Sequence, residues 1–421
     1  MRKYFYLTLL VTLMVTTLSA QQFDLSAEIR PRFENRHGYK TLMNDGVDGA
    51  NFVSQRTRLN FNFQQDKVKL GVSLQNVRVW GDISTLGKDD NNTMLHEAWA
   101  EALISDVFSI KLGRQEIVYD DSRMFGNVGW AQQARSHDAL LAKFKFSNKS
   151  KLDIGLALNS DNENNVDVLY TTQYKTFQYA WYHTALNDNL NLSLLALNNG
   201  IEFMDGADQK VDYTQTIGTY VKYGKGKFGA NFSAYLQAGK TNGTDVSASN
   251  LAGNISYKLS KEFSIGVGTE YLSGSDFDYG SGSRLDSKIK SFNPFYGTNH
   301  KFNGWMDYFY VGNHGGQVGL VDVNATLAYS KDKFSAKLIP HFFSSAADIY
   351  SGSTKMDNSL GTEVDLVVGY KVANNIMFNA GYSQMFAKDS MELLKGGDKD
   401  ETNSWGWIML TFKPKLFSSS K

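Results

Sequence analysis

The side chains with most to offer chemically are the arginines, and they are unevenly spread. Apart from Arg2, the chain carries Arg30, Arg32, Arg36, Arg56, Arg58, Arg78, Arg114, Arg123 and Arg135, and thereafter only Arg284. A guanidinium stays charged at any relevant pH and pairs bidentately with carboxylates. Arg30, Arg32, Arg56, Arg58 and Arg78 are read on the polar parity of strand-like segments, so they are expected to share one face of a sheet. Glu28, Glu34, Glu97 and Glu101 are read on that same face. Two readings stay open. The arginines could attract an anionic, carboxylate-bearing solute, or they could form cross-strand ladders with these glutamates that only hold the wall together.

Other chemistry is poorly supported. The histidines His37, His96, His137, His183, His300, His314 and His341 are scattered. In the pairs His96-Glu97 and His137-Asp138 the two neighbours are expected on opposite faces of a strand, so neither makes a ready dyad. A hydrolase is the rival reading, and it lacks a visible nucleophile and base, so the chain is read as non-enzymatic. The absence of cysteine removes thiolate metal sites and disulfides. Ser275-Asp276-Phe277-Asp278-Tyr279-Gly280 lacks the ligand series of a calcium loop, so no metal and no cofactor are expected. Equal numbers of basic and acidic residues, 43 of each, speak against nucleic acid as a partner.

The elements that position these side chains follow from the rest of the sequence. Arg2-Lys3, the apolar run Tyr4 to Thr17 and the small residues Leu18-Ser19-Ala20 have the layout of a secretory signal, so residues 1–20 are read as a signal peptide. Residues 21–421 are then one domain. Period-two alternation runs through it: Phe23, Leu25, Ala27 and Ile29 against Asp24, Ser26, Glu28 and Arg30; Val68, Leu70, Val72 and Leu74 against Lys69, Ser73 and Gln75. Short turns at Gln65-Asp66, Ser105-Asp106, Asn148-Lys149, Asn187-Asp188, Gly224–Gly226, Ser260-Lys261, Lys331-Asp332 and Asn374-Asn375 alternate with longer polar stretches. These lie near 35–51, 81–92, 118–135, 159–166, 199–210, 239–245, 273–319, 344–359 and 387–401. That rhythm predicts an all-β, transmembrane, antiparallel up-and-down β-barrel of about 18 strands, with short periplasmic turns and long external loops, in the outer membrane. Aromatic residues beside the short turns, among them Tyr223, Phe228, Tyr257, Phe263, Tyr329 and Phe334, predict a girdle against outer-membrane lipid. Ser404 to Phe412 reads as the closing strand, since an unpaired edge cannot be solvated in hydrocarbon.

Leu112-Gly113-Arg114-Gln115-Glu116, Tyr119 to Gly126, Trp130 and Ala134 to Asp138 resemble the signature of the alginate-export family of outer-membrane barrels. A second block, Phe292 to Phe302 with Gly304 to Phe309, resembles a loop of relatives assigned to that family. The resemblance implies a monomeric barrel of about eighteen strands with an arginine-rich lumen that passes a polyuronate, and an export role would add periplasmic partners. On matching positions it also implies that Arg114, Glu116, Asp121, Arg123 and Arg135 line a constriction. The function expected is therefore a passive channel for an anionic polysaccharide. The alternatives are a nonspecific porin and an uptake channel for anionic oligosaccharides or small solutes. The loop 118–135 either narrows the mouth or stays outside as an ordered loop. The stretch 273–319 is either a lid whose aromatics stack on sugars or a self-packed surface loop.

Overall fold

The computed structural model describes residues 21–314 and 317–419. The expected signal segment, residues 1–20, lies outside them.

Eighteen antiparallel strands close into a barrel. In chain order they begin with β1 (Gln22–His37), β2 (Ala50–Gln65), β3 (Val68–Val79), β4 (Thr93–Leu103), β5 (Phe108–Gln115) and β6 (His137–Lys145). Next come β7 (Ser150–Leu158), β8 (Thr176–Asn187), β9 (Leu190–Asp205), β10 (Asp208–Lys225), β11 (Phe228–Thr241) and β12 (Thr244–Lys258). The circuit ends with β13 (Phe263–Leu272), β14 (Leu320–Lys331), β15 (Phe334–Ser344), β16 (Ser359–Ala373), β17 (Ile376–Ala387) and β18 (Asn403–Phe412). Each strand pairs with the next, and β18 returns to β1 from Ile29↔Phe412 to His37↔Ser404. After a break at Pro414 the segment Lys415–Ser418 continues that pairing against Asp24–Ser26. The closed ladder leaves no edge to be stranded in lipid.

The barrel wall is inverted relative to a soluble protein. On β3, Val68, Leu70, Val72 and Leu74 are exposed outward while Gly71, Ser73 and Gln75 are buried inside. Phe228 opposes Tyr257, Phe263 opposes Tyr329 and Phe108 opposes Phe144 next to the short turns. This is the lipid-facing girdle. All eight short turns lie where the sequence placed them.

Two of the expected long connections are not loops. Strands β9 and β10 run on to a tight reversal at Gly206-Ala207, and β11 and β12 meet at Asn242-Gly243. Asn242 and Gly243 have φ of 47° and 76°, the left-handed pair that a two-residue type I′ hairpin needs. β10 is 18 residues long, well beyond the roughly ten that cross a bilayer, so this hairpin stands clear of the membrane. Two other loops are joined by a small sheet of Phe277–Asp278, Ser283–Arg284, Ile349–Ser351 and Thr354–Lys355.

Candidate functional site: a lumen with a basic and an acidic wall

The loop 118–135 leaves β5 and folds into the barrel, where the wall of β1–β3 holds it. Arg30 donates from Nη1 to the Gly129 carbonyl (2.8 Å), from Nη2 to the Trp130 carbonyl (3.1 Å) and from Nε to Gln132 Oε1 (3.1 Å). Arg32 donates to the Trp130 carbonyl at 2.8 Å and lies over the Trp130 ring at 4.0 Å. Arg56 reaches the Gln132 carbonyl at 3.4 Å, and Gln75 the Gln133 carbonyl at 2.9 Å. The carbonyls of an irregular segment have no ladder to join, so inside the barrel they need side-chain donors. The loop also holds Asp120, Ser122, Val128 and Ala134 at φ between 49° and 74°. Such backbone costs roughly 1–3 kcal/mol per residue unless its surroundings enforce it.

The glutamates of this wall are paired as well. Glu28 accepts from Arg56 at 2.5 Å and Lys413 at 2.8 Å, and Glu34 accepts from Arg32 and Arg36 at 2.8 Å each. Arg58 donates to Gln75 at 2.5 Å and lies 3.7 Å from Glu116, and its Nη2 has no partner among the described residues. Glu101 accepts from Ser109 (2.7 Å) and Lys143 (3.0 Å).

Three expectations need correction. Arg78 shares the parity of Val68 and Leu70 and pairs in register with outward-facing Gln55. It forms an ion pair with Asp90 at the rim, so it is not on the inner ladder. Arg114 pairs in register with Ala98 and Asp138 on the outward face and is bound to Asp138 at 2.7 Å. It does not line a constriction. A register shift at Ser73/Leu74 puts a bulge in β4, so His96 and Glu97 are not divided between the two faces. His96 lies 2.8 Å from Glu116 Oε1, and Glu97 accepts the Glu116 N–H at 3.1 Å. Glu116 also accepts from Asn127 of the loop at 2.8 Å.

A second wall, β13 to β16, is acidic, and the sequence reading passed over it. Glu270 on β13, Asp322 on β14, Glu363 and Asp365 on β16 and His341 on β15 are all buried inward. They bind the second inserted segment, the middle of 273–319, through its donors. Met306 N–H donates to Glu363 at 2.8 Å, Trp305 N–H to Asp365 at 3.2 Å, and Asn303 Nδ2 to Glu270 at 2.9 Å. This stretch is therefore not a self-packed surface loop: Phe292, Tyr296, Met306 and Tyr308 are buried. The legible signal was a carboxylate at inward parity on three strands of one wall.

The two inserted loops meet over an aromatic core. Phe125 lies 5.2 Å from Tyr296 and 4.6 Å from Tyr179, and Gly126 N–H donates to the Tyr296 carbonyl at 2.9 Å. The loops approach so closely that a Cβ on Gly126 would come within 2.2 Å of Thr298 Oγ1, and one on Gly297 within 2.2 Å of the Arg123 carbonyl. Arg123 crosses from the first loop to the far wall, where it is ion-paired with Glu270, bound to Asn303 Oδ1 at 2.7 Å and stacked over Phe302 at 4.2 Å. Asp121 accepts the Arg123 N–H at 3.0 Å, and Arg135 donates to the Gly297 carbonyl at 3.0 Å.

Open space remains on either side of the first loop. A cavity of about 910 Å³ lies between Tyr119-Asp120 and the short turns. Another of about 630 Å³ lies beside Trp130–Gln133 and Tyr39.

A serine, an aspartate and a histidine do come together on the acidic wall. Ser383 donates to Asp365, however, while His341 Nδ1 faces Asp322 at 2.9 Å and its Nε2 lies 3.6 Å from Asp365. The serine is thus not bonded to the base, as an activated nucleophile requires. Among the described residues no group of three His, Asp or Glu is placed to hold a metal ion.

The family model for alginate export matches residues 21–404. No match was found among curated proteins. Among solved structures, Acinetobacter baumannii OccAB4 is similar with a TM-score of 0.63 at 12% identity, over 95% of this chain and 100% of that one. Pseudomonas aeruginosa OpdO gives 0.62 at 14% identity over 94% and 98%. Pseudomonas aeruginosa OccK9 (OpdG) gives 0.61 at 12% over the same shares. At such identities the likeness shows the fold alone.

Proposed function

The chain belongs to the alginate-export family, and from that premise we propose that this passive outer-membrane channel conducts a carboxylate-bearing saccharide chain of the polyuronate class. The supporting observation is the way the lumen is narrowed. The loop 118–135 is clamped to an arginine-bearing wall by Arg30, Arg32 and Arg56 and tied across the barrel by Arg123. The space that the loop leaves is lined by Arg32, Arg36 and Lys40; with their donors engaged, these groups act through their field, which favours an anionic chain. A passive pore sets no direction, so the solute moves down its own gradient. Periplasmic partners would supply it during export.

The test is the reversal potential of the refolded protein in a planar bilayer under a salt gradient, with and without uronate oligomers. Anion selectivity together with uronate block is the expected result. A cation-selective conductance indifferent to uronates would reduce the protein to a general porin.

A further inference from the structure

With its arginine donors largely occupied by loop carbonyls and glutamates, the basic wall leaves its unpaired cations elsewhere. One group of lysines faces the cavity of about 910 Å³ on the short-turn side of the loop 118–135. Six lysines line it against four carboxylates, and three of the four acids are engaged. Glu101 holds Ser109 and Lys143, Asp153 accepts from Tyr119 at 2.8 Å, and Asp120 accepts from Trp181 Nε1 at 2.9 Å and Ser193 at 2.5 Å. Lys69, Lys151 and Lys222 form no ion pair among the described residues, and Lys151 lies over the Trp181 ring at 4.8 Å.

We propose that this vestibule is the docking site at which a polyanionic saccharide chain enters from the periplasm, with Lys69, Lys151 and Lys222 as its carboxylate contacts. This rests on the polyuronate reading above and adds where, and from which side, the chain is first held. Short turns face the periplasm in barrels of this kind, so the vestibule opens on that side.

The lysines sit on β3, β7 and β10. Neighbouring strands are about 4.8 Å apart, so the steps along the wall are roughly 19 Å and 14 Å. A single uronate cannot bridge such gaps, whereas an extended oligomer with a carboxylate on every sugar can. Lysine also suits the task. Its ammonium is compact and well hydrated on a flexible stem, and solvated contacts of this kind are weak singly. A chain is then held collectively without being trapped.

The experiment compares block by uronate monomer and by a uronate hexamer, added in turn to each side of single channels. Orientation is assigned with a thiol reagent that reaches a cysteine introduced at Ala207 on the external hairpin. In the wild type the hexamer should block at lower concentration from the short-turn side, and the monomer should not block. The variant Lys69→Gln/Lys151→Gln/Lys222→Gln should need about tenfold more hexamer from that side and the same amount from the other. The corresponding Lys→Arg variant should block like the wild type, which separates lost charge from lost folding. If hexamer blocks the wild type but the Gln variant behaves identically, or if monomer blocks as well as hexamer, the docking site is wrong and the polyuronate reading survives. A wild type that uronates block from neither side overturns both.

Discussion

At the scale of single residues, position relative to the inserted loop decides what each arginine does. Arg30 and Arg32 are buried and donate to backbone carbonyls of the loop 118–135, and hydrogen bonds from a charged donor are worth roughly 1.5–3 kcal/mol each. Neutralising both should therefore release the loop before it alters charge selectivity. The variant Arg30→Gln/Arg32→Gln is expected to show larger, noisier single-channel conductance than the wild type. Arg114→Gln, on the outer face, should leave conductance and reversal potential unchanged. An Arg30/Arg32 variant with normal conductance and a reversal potential moved toward cations would mean that these side chains face the solute instead. The sequence could reveal the parity of Arg30, Arg32, Arg56 and Arg58 because side chains alternate strictly along a strand. It could not reveal that their partners are carbonyls, since a backbone acceptor leaves no mark on residue type. Arg78 was legible in principle, as it shares its parity with Val68, but the polar loop beginning two residues later blurs the pattern there.

At the scale of elements, the eight short turns were legible and the external half was less so. Asn242-Gly243 is a hairpin signal within a stretch whose polar composition resembles a loop, and the polar face of a protruding β-ribbon has no lipid to mark it. The bulge in β4 shifts the register between Ser73 and Leu74, and no feature of His96-Glu97 announces it. One external element carries a pH response. The helix Asp389–Lys395 lies in the connection between β17 and β18, and burial pushes the Lys395 ammonium down to about 7. Unfolded lysine titrates near 10.4. Between those values the opened segment binds a proton that the folded one has released, so stability rises as pH rises through this window. Below about 7 both forms are protonated and the full penalty of burying the charge remains. Limited proteolysis of the segment should be several-fold slower at pH 9.5 than at pH 6.5. Lys395→Met should flatten that difference, and an undiminished difference in the variant would assign the effect to another group.

At the scale of the whole molecule, the barrel is a frame that holds two loops from two walls of opposite chemistry. Arginines on one wall take the carbonyls of the loop 118–135, while carboxylates on the other take the amides of the segment around Asn303–Met306. Arg123 joins the halves: it belongs to the first loop, pairs with Glu270 on the second wall and binds Asn303 in the second loop. Breaking a buried pair from one side costs about 3–5 kcal/mol, because the remaining charge is left uncompensated. Among the described residues, Arg123→Met leaves Glu270 with the amides of Asn250 and Asn303. The variant should lower the thermal midpoint and raise hydrogen exchange in both loops at once. Glu270→Gln should cost less, since Arg123 keeps Asn303 and Asn299 and the new amide is neutral. In the double variant the two losses should fall short of additive, the measure of a direct interaction. If exchange instead rises only within 118–135 while Asn299–Met306 stays protected, the loops are anchored independently. Channel opening would then need the first loop alone to move, instead of a plug of both.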